Sequence, residues 1–350
     1  MNTLVTKTPS DLAECSSTHS AVFLFLNKHS HNKSTHRAYY KELERLTLWA
    51  HSIDKDLMDL TLFDINNYSQ FVLSPQPYDR WVGPRRHRNH PEWKPFEKPM
   101  SPSTRNQTIT RINAFYKFCV EAGYLSGNPV AAVPKVYYLK RQGPSEKYIT
   151  EDDWKKVQLY LSLLDKKPTT PEYERTRFVI EILYHQCIRR SELTINSTIG
   201  IRQENGLWWW YLVGKGSKTA KIPFKPASVA SMKRYRESLG LSSMPLPGED
   251  KPFVYGLRET SRGVGHETIY QIVKEFFKGV CQWAEDIDKD LAKGLRSVST
   301  HWLRHTGLSH MANRGVSEGA VQGVARHNSE RTTKSYYLHK EDEDFYKEVC

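Results

Sequence analysis

Between Ser299 and His339 the chain reads STHWLRHTGLSHMANRGVSEGAVQGVARHNSERTTKSYYLH, and a few side chains there could do chemistry together. They are the imidazoles of His301 and His327, the guanidinium of Arg304 and a phenol, Tyr336 or Tyr337. A guanidinium stays charged, and its fork of donors matches phosphate oxygens two at a time. Imidazoles add hydrogen bonds. A phenol is a nucleophile that, with an unperturbed pKa of about 10, needs cations nearby to lose its proton. The set suits displacement at a phosphate.

Two short helices must deliver these groups. Ser299 or Thr300 can cap the first, whose apolar Trp302, Leu303, Leu308 and Met311 recur at helical spacing, and Gly315 supplies the stop. His301 and Arg304, three apart, share a face. Ser317 with Glu318 starts the second, which carries Val321 and Val324 and ends near His327; a Thr-rich stretch then leads to the tyrosine pair.

This order and spacing resembles the C-terminal half of the tyrosine recombinase (phage integrase) family. That family reads roughly H-x-L-R-H-T, then L-G-H, then T-T-x-x-Y, and HWLRHT, ARH and TTKSYY stand in those places. Arg326 sits where the family usually has glycine. Tyr336 lies nine residues beyond His327 and ends T-T-x-x-Y, so the resemblance makes it the nucleophile, whereas Tyr337 requires a one-residue slip.

Upstream, CIRRSEL resembles the family's T-G-L-R-x-S-E-L, which places Arg189 at the catalytic arginine and Glu192 at the acid that orients it. Gln186-Cys187 replaces Thr-Gly, so the bend before Arg189 must be made without glycine, and Ser191 is expected to cap the next helix. Gly206 to Phe224 reads as a hairpin. Its V-G-K-G-x-K matches the family's hairpin with Lys215 at the tip as the catalytic lysine and Lys218 as the alternative. The required G-x-x-x-x-G-K-[ST] of a nucleotide-binding loop is absent.

The resemblance implies a mainly α fold with a small antiparallel β-sheet, in two domains: a helical core-binding domain and a mixed α/β catalytic domain. It implies a site-specific recombinase that cleaves and rejoins DNA through a 3′-phosphotyrosine. Arg189 and Arg304 would stabilise the transition state, Lys215 would protonate the leaving 5′ oxygen, and His301 and His327 would add hydrogen bonds. No cofactor and no metal are needed, and no carboxylate cluster that would hold Mg²⁺ accompanies the set. The implied partners are double-stranded DNA sites and copies of the chain, as a tetramer on two duplexes, with accessory DNA-bending or directionality proteins in addition. A type IB topoisomerase uses the same chemistry, and a catalytically idle DNA-binding accessory protein is the third reading.

Composition agrees with a nucleic-acid partner. The 350 residues carry a net charge of +12, with a pI near 9.3, which points to a polyanion. No apolar run approaches the roughly 20 residues that span a bilayer. The N-terminus has no apolar core region of a secretory signal, and Cys15, Cys119, Cys187, Cys281 and Cys350 are scattered singly. The expectation is a cytoplasmic, nucleoid-associated bacterial protein. His29, His31 and His36 lack companion Cys or carboxylate ligands for a metal.

Along the chain, residues 1–18 read as a flexible leader and 19–133 as the helical DNA-binding domain, with Thr35 expected to cap its second helix. Within it, 74–100 is a proline-rich basic insertion, expected as an extended loop without helix and anchored by Trp81, Trp93 and Phe96. A similar proline-rich insertion occurs in some recombinases of bacterial mobile elements, so the chain resembles a mobile-element integrase. Arg85, Arg86 and Arg88 of that insertion, and Arg105, Arg111 and Lys117 of the helix from Ser101 to Ala122, are candidates for a DNA face. Residues 134–147 read as a basic linker that carries Lys140 and Arg141, 148–340 as the catalytic domain, and 341–350 as a C-terminal tail; Lys218 is a further candidate DNA contact. The acidic stretch EDIDKDLA is expected to be solvated.

Overall fold

The computed structural model describes residues 18–136, 148–165, 169–214, 218–257 and 262–326. The chain divides into two compact units, Met1–Gln142 and Gly143–Cys350.

The first unit is helical: α1 (Thr18–Lys28), α2 (Lys33–His51), α3 (Leu62–Phe71), α4 (Tyr78–Trp81) and α5 (Pro102–Glu121). Its long helices start where the chain offers a side-chain acceptor to orphan N–H groups. Asn32, rather than Thr35, caps α2 by accepting from the Thr35 N–H at 3.1 Å. Ser101 caps α5, with Pro102 in the first turn where no N–H is needed. Phe25, Leu46, Ile65, Tyr68, Ile112, Phe115 and Tyr116 close the core.

The insertion contains the short helix α4, contrary to the expectation of a helix-free loop. Pro77 sits just before its first residue, where a fixed φ favours a helical start. Trp81 and Phe96 are buried as expected, and the loop is tied to α2: the Arg45 Nε–H donates to the Pro95 carbonyl at 2.9 Å, and Arg88 pairs with Glu44 at 2.5 Å.

The second unit holds α6 (Glu151–Leu163), α7 (Pro171–His185), α8 (Arg190–Ile195), β1 (Ile201–Glu204), β2 (Leu207–Val213) and β3 (Thr219–Pro223). Then follow α9 (Pro226–Ser238), α10 (His266–Ala284), α11 (Lys289–Leu295), α12 (Thr300–Asn313) and α13 (Glu318–Ala325). The mainly helical fold with a small antiparallel sheet is as the sequence implied.

The strands lie in the order β1-β2-β3, all antiparallel. The β2–β3 hairpin falls within the expected span, with Val213 opposite Thr219. β1 was not expected; Asn205 and Gly206, both at positive φ, make the two-residue turn that folds it onto β2. The acidic stretch is only partly solvated: Asp288 accepts from the Leu291 N–H at 3.0 Å and starts α11, which buries Leu291, Ala292 and Leu295.

Candidate active site

The candidate site is built where α7, α8, α12 and α13 end or begin. α7 is buried along Phe178, Val179, Ile182 and Leu183, which fixes its C-terminus inside the unit. α12 crosses it closely because Gly307 has no side chain; a Cβ there would collide with the Tyr184 carbonyl oxygen and lie 2.6 Å from Cys187 Sγ. Polar ties hold the same approach. The Thr306 hydroxyl accepts from the Ile149 N–H at 3.0 Å, and His310 bridges the Tyr184 hydroxyl and the Ile149 carbonyl, both at 2.8 Å.

That packing puts Arg304, only 1% exposed, one turn before Gly307 and against the bend after α7. Its guanidinium donates to the Cys187 carbonyl from one terminal nitrogen and to the Ala325 carbonyl from the other. Burial, then the charges of Arg189 and Arg326, lowers its pKa to about 10, which leaves it a cation at neutral pH. The two carbonyls flank the two turns that lack the family's glycines. Cys187 has φ 50° and Arg326 has φ 53°, so both departures from the family pattern adopt the left-handed conformation that glycine takes without strain.

Arg189 caps α8, and Ser191 lies inside that helix rather than at its start, a correction to the expected cap. Glu192 does the capping from the third position: its carboxylate accepts from the Arg189 backbone N–H at 2.8 Å and from the Arg189 side chain at 2.9 Å. An acid in the first turn of a helix also meets the positive end of the helix dipole. Arg190, the competing neighbour, points elsewhere and packs over the Tyr270 ring, 5.5 Å from its centroid. The geometry therefore favours Arg189 over Arg190. Its side chain is 32% exposed, while Glu192 is buried.

His301 is exposed on α12, and its Nε2 lies 2.8 Å from Nε2 of His305. His305 was not singled out from the sequence, although its place four residues after His301 on a helix was the available signal. Arg326 was noted only as a departure, yet its guanidinium reaches Glu192 at 2.5 Å. Lys215, His327, Tyr336 and Tyr337 lie outside the described residues. On the hairpin, the Gly214 N–H donates to the Lys218 carbonyl at 2.7 Å, and Lys218 is exposed.

The candidate DNA-facing residues of the first unit divide sharply. Arg105 is a correction: expected on the open face of α5, it is 1% exposed. Its guanidinium donates to the Pro134 carbonyl at 2.7 Å and to the Ser69 carbonyl at 3.4 Å, because the chain leaving the unit folds back over this helix. Asn106 holds the same segment through the N–H and carbonyl of Val136, so the first residues of the expected linker pack on the first unit. Arg111 is drawn to buried Glu42 at 3.4 Å, and Arg88 lies over Trp93 as well as pairing with Glu44. Arg85, 88% exposed, and Arg86 have only loose partners in Glu97 and Glu92, and Lys117 is exposed. Lys140 and Arg141 are outside the described residues.

Comparison with known proteins places this geometry. Residues 154–344, more than half of the chain, match the Phage integrase family. Tyrosine recombinase XerD of Xanthomonas axonopodis pv. citri is 27% identical over 311 residues, 87% of each chain. Tyrosine recombinase XerC of Bacillus pumilus is 26% identical over 249 residues, 69% of this chain and 72% of the relative. Among solved structures, the XerH site-specific recombinase bound to palindromic difH substrate, a post-cleavage complex, superposes with a TM-score of 0.65 at 12% identity over 95% of this chain and 84% of that one. The Tn1549 transposon integrase in complex with circular intermediate DNA gives 0.57 at 16% identity, over 91% and 94%. Together with the Arg189–Glu192 pair set beside Arg304, the family match over residues 154–344 makes the chain a member of the phage integrase family, a tyrosine recombinase.

Proposed function

We propose that this recombinase cuts and rejoins DNA at specific sites through a 3′-phosphotyrosine on Tyr336, and that its task is integration and excision of a mobile element. The observation that carries the chemistry is the arginine cluster. Arg189 is aimed by a buried carboxylate and partly open to solvent, and Arg304 is fixed behind it by two backbone carbonyls. Such groups are preorganised, so they stabilise charge on phosphate oxygens without rearranging during the reaction. Tyr336 gives up its phenolic proton to water as the neighbouring cations stabilise the phenolate, and its oxygen attacks phosphorus; the P–O bond to the 5′ oxygen breaks, and Lys215 supplies that oxygen with a proton. His301 and His327 hydrogen-bond the phosphate oxygens. The phosphotyrosine retains the energy of the broken diester, so rejoining needs no cofactor.

The basic charge and the exposed Arg85, Arg86 and Lys117 support DNA contact by the first unit. Solved relatives include a lambda integrase tetramer bound to a Holliday junction. For this chain we propose the same order of assembly, a tetramer on two duplexes, with accessory proteins setting direction. The proline-rich insertion supports the mobile-element role. Among the described residues no helix is long and apolar enough to cross a membrane.

A suicide substrate carrying a nick beside the cleavage point tests the reading. Covalent protein–DNA adduct is expected to accumulate in excess EDTA, since guanidinium groups carry the charge that a metal would otherwise neutralise. Strict dependence on Mg²⁺ would refute the mechanism. Four protomers on paired sites, seen by light scattering, are expected for a recombinase; a monomer that only relaxes supercoils would favour the topoisomerase reading.

Lys215→Ala is expected to slow cleavage by about 10²-fold or more, the usual contribution of a general acid. A substrate with sulfur at the 5′-bridging position loses its leaving group without protonation, so it restores the rate if Lys215 is the acid. Rescue of Lys218→Ala instead would move the role along the hairpin.

A further inference from the structure

Arg326 occupies a conformation that a bulky L-residue adopts only when something holds it there: φ 53°, ψ 46°, directly after α13. What holds it is the site. One terminal nitrogen donates to the Val324 carbonyl at 3.0 Å, and the other forms a 2.5 Å ion pair with Glu192 Oε2, the oxygen that also accepts the Arg189 backbone N–H. Glu192 Oε1 takes the Arg189 side chain at 2.9 Å. A single carboxylate, 1% exposed, is thus gripped from two sides, and the Arg326 side chain is itself only 11% exposed.

We propose that Arg326 is a positioning residue for the strand-cleavage reaction, acting through the Arg189–Glu192–Arg326 chain. Two effects combine. With Arg189 alone, Glu192 would cancel the charge of the arginine it orients. A second guanidinium on the same carboxylate leaves the three groups with one net positive charge, which a phosphate meets in addition to that of Arg304. Bonds to both oxygens also leave Glu192 no rotation about its carboxylate, so the Arg189 fork keeps one direction. The mutual closeness of the cations is visible in the lowered pKa values of Arg304 and Arg326, for which burial is the largest cause and in each of which Arg189 is a further one. Arg304 completes the frame, since it bonds the carbonyl of Ala325, the residue before Arg326.

This inference rests on the cleavage reaction proposed above, and the substitution Arg326→Gly separates it from that reading. Glycine accepts the left-handed backbone without strain, which offsets the loss of the ion pair to buried Glu192, so the variant should fold with a melting temperature close to that of the wild type. A structural residue would lose stability and activity together; here they are expected to part. Single-turnover cleavage of the suicide substrate should fall by about 10-fold or more through misaimed Arg189, and added guanidinium ion should return part of the rate. In a Glu192→Gln background the same substitution should change the rate by less than about 3-fold, the non-additivity expected when two residues act as one unit. Arg326→Gly cleaving at the wild-type rate would overturn the role, and so would a slow variant whose melting temperature falls in step and which guanidinium does not rescue. A wild-type protein that forms no adduct would instead refute the cleavage reading itself.

Discussion

Tyr336→Phe is expected to abolish the covalent protein–DNA adduct while leaving DNA affinity unchanged within about 2-fold. Only the hydroxyl is removed and the ring keeps its size, so the change alters neither the charge of the chain nor the volume of the side chain. On the proposed mechanism the reaction, by contrast, loses its nucleophile outright. Tyr337 is adjacent in sequence, but successive side chains on a backbone point in different directions, so only one of the two can be in line. Tyr337→Phe should therefore keep the adduct. Both tyrosines lie outside the described residues, and the assignment rests on the nine-residue spacing from His327 and on the T-T-x-x-Y match. Peptide mass spectrometry of the trapped complex decides it: a nucleotide on Tyr337, or adduct surviving in Tyr336→Phe, would transfer the role.

The elements that position the site were largely legible because they carry local signals. Ser317 caps α13, Gly315 stops α12 at φ 76°, and the β2–β3 hairpin brackets Gly214, all as the sequence indicated. What escaped was decided by tertiary contact. Arg105 looks like any surface arginine on a helix; it is buried because the carbonyl of Pro134, 29 residues later, returns to meet it. β1 was marked by Asn205-Gly206, a strong two-residue turn signal obscured by the aromatic run beside it. α11 has only seven residues, and its charged positions mask Leu291, Ala292 and Leu295.

Within the site, the T-G-L-R-x-S-E-L register set Arg189, rather than the adjacent Arg190, three residues before Glu192, and the structure shows that pairing; the expected cap differs. Ser191 was expected to cap α8, whereas Arg189 is itself the cap and Glu192 returns to its N–H. The two missing glycines have a common physical answer. Backbone conformation at Cys187 and Arg326 is left-handed in spite of the side chains, and Arg304 bonds the carbonyl of Cys187 on one side and of Ala325 on the other. No pattern of residue types announces that Arg304 also holds two left-handed turns together, because the partners are backbone atoms far apart in sequence.

That dual attachment makes Arg304 the residue whose loss is expected to cost most. Arg304→Ala leaves two buried carbonyls without donors, at about 1–3 kcal/mol each, partly offset by removal of a buried charge that sits near Arg189 and Arg326. A net destabilisation of about 2–4 kcal/mol is expected on that basis, read as a lower midpoint in denaturant unfolding of the second unit. Cleavage should fall by about 10³-fold or more, since the variant loses a fixed cation and the turns that set Arg189 and Arg326. Arg304→Lys separates the two contributions. An ammonium keeps the charge but is a single point without the planar fork, so it reaches one carbonyl and abandons the other. Stability should then recover by more than half, while cleavage stays about 10²-fold down. An Arg304→Ala midpoint equal to the wild type would show that the two carbonyl bonds contribute nothing to stability. Full activity in Arg304→Lys would show that charge alone suffices and that the fork between the two turns has no part in the chemistry.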